Sequence, residues 1–116
     1  MSKNAFYDSL LSQLQALIEG GNDLIANLAN TSALLNLALE DLNWVGFYLL
    51  KSPDELVLGP FQGKPACLRI PVGKGVCGTA VASGQTQRVA DVHAFAGHIA
   101  CDGASNSEIV LPILDQ

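Results

Sequence analysis

Trp44-Val45-Gly46-Phe47-Tyr48-Leu49-Leu50, then Ser52-Pro53-Asp54, then Glu55-Leu56-Val57-Leu58-Gly59-Pro60-Phe61: this run sets the fold class. Two β-prone apolar stretches flank a turn signal, so the chain leaves as one strand and returns as the next strand of a hairpin. Leu68-Arg69-Ile70-Pro71-Val72 reads as a third strand. Pro71 cannot donate to a ladder and places that strand at a sheet edge or at its own end. The glycine turn Gly73-Lys74-Gly75-Val76-Cys77-Gly78-Thr79 follows and opens a short helix through Ala82. Gln87-Arg88-Val89 is a brief strand, a long loop runs from Ala90 to about Asn106, and Ile109-Val110-Leu111-Pro112-Ile113-Leu114 is a last strand. Long loops in compact domains are usually functional.

Upstream of the hairpin the period changes from strand to helix. Leu10, Leu11, Leu14, Leu17 and Ile18 mark one face of a first helix. Gly20-Gly21 ends it. Asn22 can cap a second helix, with Asp23 in its first turn, and Leu24, Leu28, Leu35 and Leu42 recur on its buried side. Leucine stripes of this kind are core.

The totals bound the class. A chain of 116 residues is long enough for one domain with one core. With 49% hydrophobic and 15% charged residues it is a globular composition, not a disordered one. Six Lys and Arg against eleven Asp and Glu, with no basic cluster, argue against nucleic acid and anionic membrane partners. The N-terminus lacks the apolar core of a signal peptide, and no uncharged apolar run reaches the roughly 18 residues of a spanning helix. The expectation is a cytoplasmic protein, where thiols stay reduced unless they cycle.

Three cysteines, Cys67, Cys77 and Cys101, then carry the chemistry. An odd number is not a closed disulfide framework, which leaves buried thiols, a metal site or thiol redox chemistry. Redox chemistry is the reading preferred here. Cys77 stands at a helix N-terminus, where the dipole lowers a thiol pKa and favours a nucleophile; its apolar neighbours Val76 and Ala80 equally suit a buried thiol. Cys101 is flanked by His98 and Asp102, with Glu108 further on; it is either a reactive thiol or an incidental loop cysteine. Cys67 is a core residue or the partner of another thiol. Glu108 is a surface carboxylate or a proton donor. His93, His98, Cys77 and Cys101 match no common zinc spacing, so no metal is expected. Gly73-x-Gly75-x-x-Gly78 fits a dinucleotide fingerprint, with Asp91 following, but the 38 residues after Gly78 lack the repeated βαβ pattern. The same bare amides can instead hold a carboxylate.

Four segments together resemble a known family. They are Asn43-Trp44-Val45-Gly46-Phe47-Tyr48; Leu58-Gly59-Pro60-Phe61-Gln62-Gly63-Lys64-Pro65-Ala66-Cys67; Ile70 through Ala80; and His98-Ile99-Ala100-Cys101-Asp102 with Ser105-Asn106-Ser107-Glu108-Ile109-Val110. Their spacing resembles free methionine-(R)-sulfoxide reductase, a GAF-domain family, across essentially the whole chain.

The resemblance implies an α+β fold, a GAF-like antiparallel β-sheet flanked by helices, as a single domain over residues 1–116. It implies reduction of free L-methionine (R)-S-oxide, with Cys101 as catalytic cysteine, Cys67 as its resolving disulfide partner, Cys77 as an accessory thiol and Glu108 as an acid near the sulfoxide. Trp44, Tyr48, Gly75, Val76, Cys77 and Asp102 are the expected substrate contacts. No cofactor is expected to be bound; thioredoxin, with its reductase and NADPH, is the expected reductant, and a homodimer is an expected assembly. Family members continue past Leu114 into another strand with two acidic residues and a C-terminal helix. This sequence ends at Gln116, right after an apolar strand that nothing follows to pair or cover, and so reads as truncated. The alternatives are a non-catalytic ligand-binding GAF module and an inactive remnant of the reductase.

Overall fold

In the computed structural model, residues 2–97 and 106–114 are described. They form α1 (Lys3–Ile18), α2 (Leu24–Ala38), β1 (Trp44–Ser52), β2 (Glu55–Gly63), β3 (Arg69–Pro71), α3 (Gly75–Ser83), β4 (Gln87–Val89), one 3-10 turn (Val92–Ala94) and β5 (Glu108–Val110). Among these residues the strands make a three-stranded sheet in the order β1-β2-β3 and a two-stranded pair β4-β5. Only Pro53 and Asp54 separate β1 from β2, a connection short enough only for antiparallel neighbours. No helix among the described residues is long and apolar enough to cross a membrane. The chain divides into two compact units, Met1–Phe47 with Gly59–Gly63, and Tyr48–Leu58 with Lys64–Gln116.

In the first unit, Ser2 caps α1 by accepting from the Ala5 amide at 3.1 Å, and Asp23 caps α2 by accepting from the Ala26 amide at 2.9 Å. The α2 cap is thus Asp23, one residue later than the Asn22 expected. The two helices pack on one another, but the leucine stripes are only partly core. Leu10 is buried and Leu14, Ile18, Leu28 and Leu35 are half-buried, whereas Leu11, Leu17, Leu24 and Leu42 are exposed. The fully buried residue of α2 is Ser32. It occupies the helical row of Leu28 and Leu35, and its small side chain lets other backbone come close: its hydroxyl lies 2.9 Å from the Leu28 carbonyl and 3.3 Å from the Pro60 carbonyl of β2. Apolar periodicity passes over a polar residue that satisfies its hydroxyl this way. Trp44 stacks on Phe61, with centroids 5.3 Å apart and planes 17° from parallel.

In the second unit, Leu56, Ile70, Val76, Ala80 and Val92 are buried. β3 runs antiparallel to β2 with Leu56 opposite Ile70, and Pro71 ends it, as its missing N–H requires. The chain then reverses: the Lys74 amide donates to the Pro71 carbonyl at 3.1 Å and the Gly73 amide to the Gly78 carbonyl at 2.8 Å. α3 packs against β3, β4 and β5. Its approach to β3 is close enough that a Cβ on Gly78 would stand 2.5 Å from the Pro71 carbonyl oxygen.

Two expectations for the C-terminal part need correction. The loop after Ala90 is not all irregular. Asp91 accepts from the His93 amide at 3.0 Å and caps the 3-10 turn, which buries Val92 completely. The last strand is Glu108–Val110, not Ile109–Leu114, and it has a partner: β4 lies antiparallel to it, with Val89 opposite Glu108. Pro112, with no amide hydrogen to give a ladder, explains why 111–114 do not continue it.

Gly78→Ala is expected to lower the denaturant midpoint, at a cost of roughly 1–3 kcal/mol for overpacking a backbone approach. An unchanged midpoint in that variant would contradict the close seating of α3 on β3.

Candidate functional site

The second unit gathers six of the residues singled out from the sequence. Tyr48 lies mid-way along β1, half-buried. Cys67 lies in the irregular segment between β2 and β3, also half-buried, and its carbonyl accepts a 2.7 Å hydrogen bond from the Tyr48 hydroxyl. Gly75, Val76 and Cys77 form the first turn of α3; Gly75 and Val76 are buried and Cys77 is half-buried. Glu108 opens β5, and because β5 packs on α3, its carboxylate acts electrostatically on both Cys77 and Tyr48. Trp44 belongs to the first unit, against Phe61. His98, Cys101 and Asp102 lie outside the described residues. The described residues that flank them are anchored: the Gly97 carbonyl accepts from the Gly75 amide at 3.0 Å, and the Asn106 carbonyl from the Val92 amide at 2.9 Å.

The thiols are not equivalent. Cys67 is disulfide-bonded. Cys77 is a free thiol. Its helix N-terminal position led to the expectation of a lowered pKa, and the structure reverses it. Burial, and secondarily the Glu108 carboxylate, push the Cys77 thiol up from 9.0 to about 11. Desolvation of a thiolate outweighs the partial charge of one helix end. At neutral pH Cys77 is held as the thiol, which makes it a poor nucleophile. Tyr48 is pushed from 10.0 to about 12 by burial, then by Cys77 and Glu108, and stays a phenol hydrogen-bond donor at physiological pH.

The α3 N-terminus keeps anion-binding capacity in its first turn, where amides have no intrahelical acceptor. The Gly75 amide is already given to Gly97, so Val76 and Cys77 supply the remaining N–H groups for a carboxylate. Lys74, at the cap position, makes no side-chain cap bond. Sequence reasoning missed the Tyr48–Cys67 bond and the meeting of Glu108 with Cys77. Both join residues far apart in the chain, and no local motif marks either.

Comparison with known proteins bears on this arrangement. No family model matches the chain. Over 114 residues it is 64% identical to the free methionine-R-sulfoxide reductase of Escherichia coli, covering 98% of this chain and 68% of that protein. The solved free methionine-R-sulfoxide reductase of Neisseria meningitidis, in complex with its substrate, is 50% identical and superposes with a TM-score of 0.94, covering 99% of this chain and 69% of that one. A solved GAF domain, 45% identical, superposes with a TM-score of 0.93 over 98% of this chain and 68% of that one.

The raised pKa values have a stability consequence of definite sign. A group held protonated by folding contributes stability that is fully present below its unfolded pKa and is lost as pH rises through its folded pKa. For Cys77 that window is 9.0 to about 11, and for Tyr48 10.0 to about 12. Denaturant midpoints should therefore fall across this alkaline range, and Cys77→Ser should flatten the earlier part of the fall. Replacing Glu108 by Gln removes a charge that disfavours the Cys77 thiolate, so alkylation of Cys77 at mildly alkaline pH should accelerate. An unchanged rate would place the carboxylate's influence elsewhere.

Proposed function

The chain belongs to the free methionine-R-sulfoxide reductase family, with a GAF fold, and on that premise we propose that it reduces free L-methionine (R)-S-oxide to L-methionine by thiol chemistry. The observation that carries the reading is the division among the thiols: Cys67 is disulfide-bonded while Cys77 is a protonated free thiol. A chain that uses two cysteines as a redox pair and a third as part of the wall would show that division. Cys101 is the remaining thiol and, by match to the family motif, the nucleophile.

Cys101 attacks the sulfoxide sulfur while Glu108, in its acid form, protonates the sulfoxide oxygen; the S–O bond breaks, the OH passes to the Cys101 sulfur and the thiol proton replaces the one Glu108 gave. Methionine departs and Cys101 becomes a sulfenic acid. The Cys67 thiol then attacks the sulfenic sulfur. An S–S bond forms, the S–O bond breaks and water leaves. The sum is one sulfoxide and two thiols giving one thioether, one disulfide and one water. Thioredoxin, itself reduced by its reductase and NADPH in the cytoplasm, returns the pair to thiols by exchange. The Val76 and Cys77 amides hold the substrate carboxylate, with Asp102 and Tyr48 as further substrate contacts. A pocket that encloses both ends of an amino acid excludes a residue inside a polypeptide, which is the physical basis for selecting the free amino acid.

The test is turnover of separate R and S epimers with thioredoxin, thioredoxin reductase and NADPH. The expected result is consumption of the R epimer alone. Cys101→Ser should release no methionine. Cys67→Ser should release about one methionine per chain and then stall, since the sulfenic acid lacks its resolving thiol. Full turnover by Cys101→Ser would overturn the assignment.

A further inference from the structure

We propose that Tyr48 is a positioning residue for the resolving step: its hydroxyl, by donating to the Cys67 carbonyl, steadies the Cys67 main chain for its attack on the Cys101 sulfenic acid. The proposal rests on the functional reading above and adds to it a second role for Tyr48, exerted through Cys67 and separate from any contact with the substrate.

The geometry comes from the hairpin. The β2–β3 ladder runs out just where Cys67 begins. Val57 and Arg69 are its last paired positions, and the Leu58 amide still reaches the Leu68 carbonyl at 2.9 Å. Residues 65–67 have no regular structure. At Cys67 itself, the Tyr48 hydroxyl takes over, with an O···O distance of 2.7 Å, at the optimum for a hydroxyl donor. The donor is well held. Tyr48 lies within a nine-residue strand that ends before the Pro53-Asp54 turn, and a tyrosine side chain has only two torsions to fix. Burial keeps its phenol protonated far above neutral pH, so the donor is present under all working conditions.

Resolution is sensitive to such a hold. A disulfide forms only with its two Cα atoms about 5–6 Å apart and a narrow dihedral range at sulfur. A Cys67 main chain free to wander would spend most of its time outside that geometry, and small misplacements of reacting groups cost large rate factors. In the step concerned, the Cys67 sulfur donates an electron pair to the Cys101 sulfenic sulfur, S–S forms, S–O breaks, and the departing hydroxide takes the Cys67 proton as water. In this role Tyr48 acts through the Cys67 carbonyl, its hydrogen-bond acceptor, and not by chemistry at sulfur. Its hydroxyl is needed for the hold and its ring is not, so Tyr48→Phe separates this role from any contact the ring makes with substrate.

The experiment generates the sulfenic acid without substrate. The full chain, fully reduced, is treated with one equivalent of hydrogen peroxide. Sulfenic acid is trapped with dimedone at successive times, and the adducts and the Cys67–Cys101 peptide pair are quantified by mass spectrometry, after near-UV circular dichroism has verified folding. Cys67→Ser should leave a persistent dimedone-reactive Cys101. Tyr48→Phe should slow disulfide formation about tenfold relative to sulfenic acid formation, short of the complete block in Cys67→Ser. A wild-type ratio of the two rates in Tyr48→Phe, with Cys67→Ser blocked, overturns the positioning role alone. Rapid loss of the sulfenic acid in Cys67→Ser overturns the functional reading beneath it, and the proposal with it.

Discussion

The seating of α3 on β3 is the contact on which the second unit depends. It requires a residue without a side chain at Gly78, because the Pro71 carbonyl occupies the space where a Cβ would stand. It also requires the tight reversal through Gly73 and Lys74, stitched by the Lys74–Pro71 and Gly73–Gly78 hydrogen bonds. Once α3 lies there, Val76 and Ala80 enter the core and Cys77, next to Val76, is left half-buried at the helix start. The same helix packs on β5, which brings the Glu108 carboxylate to bear on Cys77. A packing requirement at one glycine thereby sets the electrostatics of a thiol.

That electrostatic outcome sets Cys77 apart as a thiol held protonated. A helix N-terminus stabilises a thiolate only if the thiolate is otherwise tolerable, and burial beside a carboxylate makes it intolerable. Cys77 is held as a thiol, unsuited to attack a sulfoxide and slow to oxidise. A protonated thiol is a compact apolar wall with little chemistry of its own. Cys67 differs from Cys77: it is disulfide-bonded and sits off the end of a ladder, its carbonyl accepting from a phenol.

What the sequence made legible was local. The Pro53-Asp54 turn, the brevity of β4, the end of β3 at Pro71 and the opening of α3 after the glycine turn each follow from residue types at adjacent positions. The features it hid all depend on distant neighbours. Ser32 is buried because backbone of β2 comes close to it, while Leu24, on the same apolar row, meets too little to cover it. Val92 is buried inside a stretch that reads as loop, because the Asn106 carbonyl fixes its amide. Glu108 is visible as a carboxylate opening a strand, but its effect on Cys77 exists only once β5 and α3 are packed. The sequence marked Cys77 as a helix-start thiol; packing supplies the reason it stays protonated.

The most direct test of that difference is a map of the sulfurs after a single turnover. The reduced chain would be mixed with free methionine (R)-S-oxide without reductant, quenched in acid with an alkylating agent, and digested for mass spectrometry. A bridge between Cys67 and Cys101, with Cys77 recovered as an alkylated thiol, is the predicted result. A bridge that contains Cys77, or oxidation of Cys77 ahead of Cys101, would contradict it.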